Sequence, residues 1–119
     1  MSPEKAKVFV VEDNLRWQDS IRLELENGGH EVVLTATLKK DAIEKAKGLE
    51  ELGVQITTLD GNLNKFDLSG KDAQEILKVL REHAPSVKVI GFSGGGIKGV
   101  DVDLGKFRLV DLAQTISEL

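Results

Sequence analysis

Short apolar runs alternate along the chain with longer segments whose apolar residues recur every three or four positions. The runs at 7–11, 31–34, 54–59, 87–92 and 100–104 predict buried strands, the last of them short. Strands that alternate with helices over short connections favour an open, parallel α/β sheet with helices on its faces. The pattern therefore predicts one α/β domain.

Four segments show helical periodicity. Asp13 or Asn14 is expected to cap the first helix, which Gly28-Gly29 ends, and Thr37 is expected to cap the second. The residues predicted to face inward are Trp17, Ile21 and Leu25 in the first helix; Leu38, Ala42, Ala46 and Leu49 in the second, which ends at Gly53; Ala73, Ile76, Leu77 and Leu80 in the third; and Leu109, Leu112, Ala113 and Ile116 in the last.

Composition narrows the class of protein. The chain has 119 residues, a net charge of −4 and no cysteine, so a thiolate metal site and a thiol nucleophile are excluded. An acidic chain of this kind lacks the basic face that nucleic acid requires. No apolar stretch is long enough to span a membrane, and a cytoplasmic location is expected. His30 and His83 are both expected at the surface.

Polar residues follow the predicted strands at the point where each strand ends. Glu12 and Asp13 come after the first strand, Asp60 after the third, Ser93 after the fourth and Lys106 after the fifth. Because parallel strands end at a common edge, where α/β proteins bind ligands, these side chains are expected to lie together.

Each of these residues also has an ordinary explanation. Glu12 and Asp13 suit a Mg²⁺ ion, but they equally suit the start of a helix. Asp60 can accept a phosphoryl group as a nucleophile, or it can belong to an Asp-Gly turn. Ser93 and Lys106 can satisfy phosphoryl oxygens, or be a loop hydroxyl and a solvated charge. Their shared position at one edge favours the functional interpretation.

With these residues assembled, the chain resembles the receiver domain of bacterial two-component response regulators. The resemblance runs through KVFVVEDN, VQITTLDGNLNKFDLSG, VKVIGFS and LGKF. It implies that residues 1–119 form a single CheY-like receiver domain. It implies a flavodoxin-like, five-stranded parallel sheet in the order 2-1-3-4-5 with helices on both faces.

The resemblance also implies roles for individual residues. Asp60 would be the phosphoacceptor, Ser93 the switch hydroxyl and Lys106 its ion-pair partner. Mg²⁺ would be bound by Glu12, Asp13, Asp60 and the backbone carbonyl of Asn62. The domain would then not be an enzyme, although it would assist its own phosphorylation and dephosphorylation. Its partner would be a sensor histidine kinase or a phosphotransfer protein, with no nucleic acid or membrane involved.

Three features depart from the family pattern. Only twelve residues separate Ser93 from Lys106, so the family's fourth helix, between the last two strands, is expected to be missing or reduced to a turn. Phe107 stands where the family usually has proline. The last strand contains no aromatic residue to act as a switch.

Loss of that helix would uncover apolar side chains of strands four and five, unless Ile97, Val100 and Val102 fold over them. An uncovered face would be expected to bind a target protein or a second copy of the chain.

The favoured function is a stand-alone response regulator that accepts a phosphoryl group on Asp60 from a sensor kinase. One alternative is a degenerate receiver that acts as a phosphorylation-independent interaction module. The other is a phosphohydrolase with an aspartate nucleophile, but such enzymes use a second Asp where this chain has Asn62, which cannot act as a general acid.

Overall fold

The structure, a computed structural model, describes residues 5–60, 71–92 and 96–119, and of Lys106 and Phe107 only the backbone. In chain order its elements are β1 (Lys7–Val11), α1 (Leu15–Asn27), β2 (Glu31–Ala36), α2 (Lys39–Ala46), β3 (Ile56–Leu59), α3 (Lys71–His83), β4 (Lys88–Phe92), β5 (Val102–Leu104), the 3₁₀-helix η1 (Lys106–Asp111) and α4 (Leu112–Ser117). Across these described ranges, five strands form one parallel sheet in the order β2-β1-β3-β4-β5. The predicted fold class and strand order are confirmed.

Strand β1 is buried on both sides of the sheet. Its Val8 and Val10 side chains enter a core formed with α1 and α4. Phe9 and Val11 enter a second core, formed with α2 and α3. A strand that is covered on both faces needs apolar residues at every position, which explains the unbroken run in the sequence.

The second helix differs from the prediction. β2 continues to Ala36, which pairs with Val11 of β1, so the chain enters the helix later than the sequence suggested. The N-cap residue of α2 is Leu38, without a side-chain capping bond, and the prediction that Thr37 caps the helix was wrong. Leu38 is exposed rather than inward-facing, and the helix ends at Ala46 rather than continuing to Gly53.

The sequence predicted the burial or exposure of Trp17, His83 and His30. The first two predictions are confirmed and the third is wrong. Trp17 is half-buried and packs edge-to-face on Phe92, with 6.1 Å between the ring centroids. His83 is exposed, as expected. His30 was predicted at the surface but is 3% exposed, because the turn after α1 brings its ring beneath α4, where both ring nitrogens are hydrogen-bonded.

The connection between β4 and β5 is short. Its described part, residues 96–101, contains a turn at Lys98 and Gly99 and no helix, as the spacing predicted. We call residues 96–101 the β4–β5 segment. Ile97 and Val100 pack over Gly91 of β4, where an added Cβ would lie 3.3 Å from Ile97 Cβ and 3.2 Å from Val100 Cγ2. These side chains cover the sheet face that the missing helix would otherwise leave open.

Because of this cover, the predicted open face is not seen. In the described parts of β4 and β5 every large apolar side chain is buried or half-buried. The expected interface on that face therefore loses its basis. Of the three residues expected to fold over the strands instead, Ile97 and Val100 do so, whereas Val102 is part of β5.

Side chains of α3 hold the β4–β5 segment in place. Arg81 donates from Nη2 to the Gly99 carbonyl at 3.0 Å and from Nη1 to Asp101 Oδ2 at 3.1 Å. Asp101 Oδ2 also accepts the backbone N–H of Val89 at 2.7 Å. Partial burial raises the pKa of Asp101, but the Val89 N–H and the Arg81 guanidinium outweigh it and hold that pKa below its usual value.

The contact between α1 and α4 gives a test of packing. A Cβ at Gly28 would overlap Cβ of Ala113, while one at Gly48 would meet nothing within 4 Å. Gly28→Ala is therefore expected to lower the free energy of unfolding by about 1–3 kcal/mol, and Gly48→Ala is expected to stay within about 0.5 kcal/mol. Urea denaturation measures both. Equal effects would show that α4 does not pack this closely against α1.

Asp101 gives a test of the β4–β5 segment. Asp101→Ala is expected to lower the free energy of unfolding at neutral pH by about 1–2 kcal/mol, because it leaves the Val89 N–H without this acceptor. Asp111→Ala, which removes only an exposed ion pair with Arg108, is the control and is expected to cost less than about 0.5 kcal/mol.

The effect of Asp101→Ala should also depend on pH in one direction. Because the folded-state pKa is lowered, the carboxylate stabilises the fold fully above its unfolded pKa of about 3.9 and loses this effect as pH falls through the folded value. Urea denaturation of the unchanged protein and of Asp101→Ala, at pH 7 and at strongly acidic pH, measures the difference between their free energies of unfolding. A difference that grows on acidification would contradict the assignment.

Candidate functional site

Two acidic residues lie at the ends of neighbouring central strands. Val11 of β1 pairs with Leu59 of β3, so the next residue of each strand, Glu12 and Asp60, emerges at the same edge. The Asp60 N–H donates to the Val11 carbonyl at 3.0 Å, and the Glu12 N–H donates to the Ala36 carbonyl at 2.9 Å. The backbone of both acidic residues is therefore fixed by the sheet.

The start of α1 decides the role of Asp13. The side chain of Asn14 caps this helix and accepts the N–H groups of Arg16 and Trp17 at 2.9 and 3.1 Å. Asn14 therefore performs the helix capping that was the structural alternative for Glu12 and Asp13. Asp13 remains available to the cluster formed by its neighbours.

The three carboxylates meet. Glu12, Asp13 and Asp60 each offer an oxygen, and these oxygens lie within 4.8 Å of one another. Glu12 is 1% and Asp60 3% exposed, while Asp13 is half-buried. Like charges at this distance repel each other strongly in a poorly solvated place. A hard divalent cation relieves the repulsion, and oxygen donors of this kind fit Mg²⁺.

Two further contacts fix Glu12. Its Oε2 accepts the N–H of Asn14 at 3.2 Å, and its carbonyl accepts from Nε2 of Gln18 at 3.4 Å. Gln18 is buried, and none of the site residues predicted from the sequence included it. Its position between Trp17 and Ile21, two residues predicted to face inward, could have indicated that Gln18 is buried.

The other predicted site residues fall outside what is described. Asn62 and Ser93 lie in the ranges 61–70 and 93–95, beyond the described residues. The backbone of Lys106 begins η1, directly after β5 and Gly105, but its side chain is not described. The structure thus brings together three of the predicted residues, Glu12, Asp13 and Asp60.

Comparison of the sequence with known protein families and with curated proteins gives no match. Comparison of the structure with solved structures gives many. A CheY-like receiver domain from Methanospirillum hungatei shares 20% identity, with a TM-score of 0.70 and coverage of 95% of this chain and 94% of the other. A signal receiver domain from Vibrio parahaemolyticus shares 19%, with a TM-score of 0.68 and coverage of 96% and 91%.

A third similar structure is a chain of the CheX–CheY–BeF₃–Mg²⁺ complex from Borrelia burgdorferi. It shares 18% identity, with a TM-score of 0.72 and coverage of 93% of this chain and 88% of the other. The chain has the receiver-domain fold. At these identities the likeness is one of fold, and it confirms the architecture that the resemblance implied.

In the receiver fold the acidic cluster lies at the carboxyl ends of β1 and β3, in the middle of the sheet. This is the edge at which open α/β sheets bind their ligands. None of the helices in the described ranges has the length and apolar character needed to cross a lipid bilayer.

The cluster predicts opposite effects of one substitution with and without metal. Asp13→Asn is expected to raise the free energy of unfolding of the metal-free protein by about 1 kcal/mol, because it removes one of three neighbouring charges. At a Mg²⁺ concentration of about ten times its Kd, the unchanged protein should gain about 1.4 kcal/mol, and the variant should gain less. Urea denaturation followed by Trp17 fluorescence measures both.

The control for this experiment is Asp19→Asn, which removes an exposed carboxylate of α1. It should leave the metal-dependent stabilisation unchanged. The three carboxylates are not a metal site if Mg²⁺ and Mn²⁺ fail to stabilise the unchanged protein. The same conclusion follows if these ions stabilise Asp13→Asn as much as the unchanged protein.

Proposed function

We propose that this protein is a response regulator that accepts a phosphoryl group on Asp60 in Mg²⁺-dependent two-component signalling. The observation that carries the proposal is the position of Asp60, which is nearly inaccessible to solvent and directly follows the central strand β3, with Glu12 and Asp13 beside it. A structural role at a surface turn would not require a buried carboxylate between two others.

The proposed chemistry begins with the Asp60 carboxylate. One of its oxygens bonds to phosphorus of a phosphohistidine on a sensor kinase or phosphotransfer protein, while the phosphorus–nitrogen bond breaks. The electron pair passes to the imidazole nitrogen, which takes a proton from solvent. Burial keeps the nucleophile away from bulk water, and the hydrogen bonds of β1 and β3 hold it in place.

Glu12, Asp13 and Asp60 would hold the Mg²⁺ ion, together with the backbone carbonyl of Asn62. When bound, the ion supplies positive charge that stabilises the transferring phosphoryl group. One of the similar structures contains both BeF₃ and Mg²⁺, which supports a site of this chemistry in this fold. In the proposal, Ser93 and Lys106 contact the remaining phosphoryl oxygens, so that the domain assists its own phosphorylation.

The experiment is incubation with acetyl phosphate and Mg²⁺, followed by mass spectrometry of the intact protein. The unchanged protein is expected to gain one phosphoryl group, and Asp60→Asn is expected to gain none. Asp13→Asn should react about tenfold or more slowly, because part of the metal site is lost. Asp19→Asn should react at the unchanged rate, since its carboxylate is exposed on α1.

A phosphoryl group that persists in Asp60→Asn would assign the acceptor elsewhere and overturn the proposal. Failure of the folded, Mg²⁺-binding protein to react with acetyl phosphate or with any phosphorylated histidine donor would overturn it as well. Circular dichroism of each variant distinguishes loss of the acceptor from loss of the fold.

A second candidate function is a receiver that signals by protein contact alone. The observation that favours it is that the β4–β5 segment contains a turn where the receiver family has a helix. Arg81 of α3 fixes this turn by a hydrogen bond to the Gly99 carbonyl. A protein that takes up no phosphoryl group, but whose partner binds Asp60→Asn and the unchanged chain equally well, would have this function.

A further inference from the structure

His30 is a buried titratable residue that the proposed site does not use. It lies between the glycine turn that ends α1 and the start of β2, and it is 3% exposed. It lies where β1 and β2 begin, whereas the acidic cluster lies beyond the opposite ends of the strands. An inference about His30 is therefore independent of phosphoryl transfer.

The ring of His30 joins two distant parts of the chain. Its Nδ1 lies 3.0 Å from the backbone nitrogen of Ala6, which precedes β1 and is fully buried. Its Nε2 lies 3.1 Å from the Ala113 carbonyl and 3.2 Å from Oγ of Ser117, one turn apart on α4. The ring thus connects the first strand to the last helix.

These partners determine which nitrogen carries the proton. The Ala6 backbone N–H can only donate, so Nδ1 accepts and carries no hydrogen. The Ala113 carbonyl can only accept, so Nε2 carries the hydrogen and donates it. The ring is therefore the neutral Nε2–H tautomer, and both of its nitrogens are used.

A second proton cannot be added without breaking this arrangement. An imidazolium has a hydrogen on both nitrogens, and the hydrogen on Nδ1 would point at the N–H of Ala6. The buried N–H would lose its acceptor, and the new positive charge would lie in the protein interior, where an uncompensated charge is unfavourable.

The hydrogen-bond partners of the ring are all neutral: a backbone N–H, a backbone carbonyl and a hydroxyl. The charged side chains on the elements around His30 do not hydrogen-bond to its ring in the described structure. Glu24 is half-buried and the others are exposed; they are Lys5 and Lys7 before and in β1, Arg16, Asp19, Arg22, Glu24 and Glu26 in α1, Glu31 in β2 and Glu118 directly after α4.

We propose that the hydrogen bonds of His30 form a proton-sensitive contact, which holds α4 against the start of β1 and opens when the ring is protonated. Because this contact forms only around a neutral ring, acidification favours its opening. Opening exposes the imidazole, and the resulting imidazolium is then solvated. The helix that is released, α4, packs on α1 next to the glycine turn through Ala113 and Gly28.

The experiment measures amide exchange by NMR between pH 7.5 and 5.5, as protection factors, so that the intrinsic pH dependence of exchange is removed. The probes are the amide of Ala6, which bonds to His30, and that of Ile116 in α4. If opening takes up one proton, protection should fall by up to about tenfold for each pH unit of acidification. Nitrogen chemical shifts of the ring should show the Nε2–H tautomer at pH 7.5.

Two variants provide the comparison. His30→Gln keeps a donor for the Ala113 carbonyl but has no titrating ring, so its protection factors should not change over this pH range. His83→Gln removes an exposed histidine and should respond to pH as the unchanged protein does. Should His30→Gln fail to fold, His30→Asn, which offers an oxygen near the position of Nδ1, replaces it.

Three results would overturn the proposal. The first is an Nδ1–H tautomer at pH 7.5. The second is a protonated His30 with the protection of Ala6 and Ile116 retained. The third is a loss of protection in the non-titrating variant that equals the loss in the unchanged protein.

Discussion

The pairing of β1 with β3 is the interaction on which the rest of the structure depends. β1 contributes apolar side chains to both cores, and its register with β3 sets Val11 opposite Leu59. The next residue on each strand is acidic, so the register alone brings Glu12 and Asp60 to one place. A shift by one residue would turn every side chain of β1 to the other face and would separate the two carboxylates.

The same constraint explains why the acidic cluster is tolerated. Three carboxylates in close proximity destabilise the metal-free fold, and other contacts must offset this cost. Here the backbone of Glu12 and Asp60 is held by bonds within the sheet, and Asn14 takes over the capping of α1. Electrostatic strain is thus concentrated at one edge of a sheet whose two cores are otherwise apolar, an arrangement typical of a functional site.

The β4–β5 segment shows how the receiver fold can exist with a turn in the place of a helix. Ile97 is buried against β4, and the polar backbone of the segment is satisfied by α3, through Arg81 to Gly99 and Gln74 to Lys98. Burial of a few apolar side chains and bonding of exposed carbonyls are the two tasks that a helix would have performed. In the described part of the connection, residues 96–101 bury the apolar side chains and bond the carbonyls with fewer residues than a helix would need.

The sequence by itself determined the alternation of strands and helices, the covered central strand and the meeting of Glu12, Asp13 and Asp60, since periodicity and strand ends are local properties of the chain. The resemblance added the strand order. Only the tertiary structure decided that Asn14 rather than Asp13 caps α1, that Thr37 does not cap α2 and that His30 is buried. The partners of His30, Ala6 and Ala113, are 24 and 83 residues away from it, and no local pattern indicates contacts at such separations.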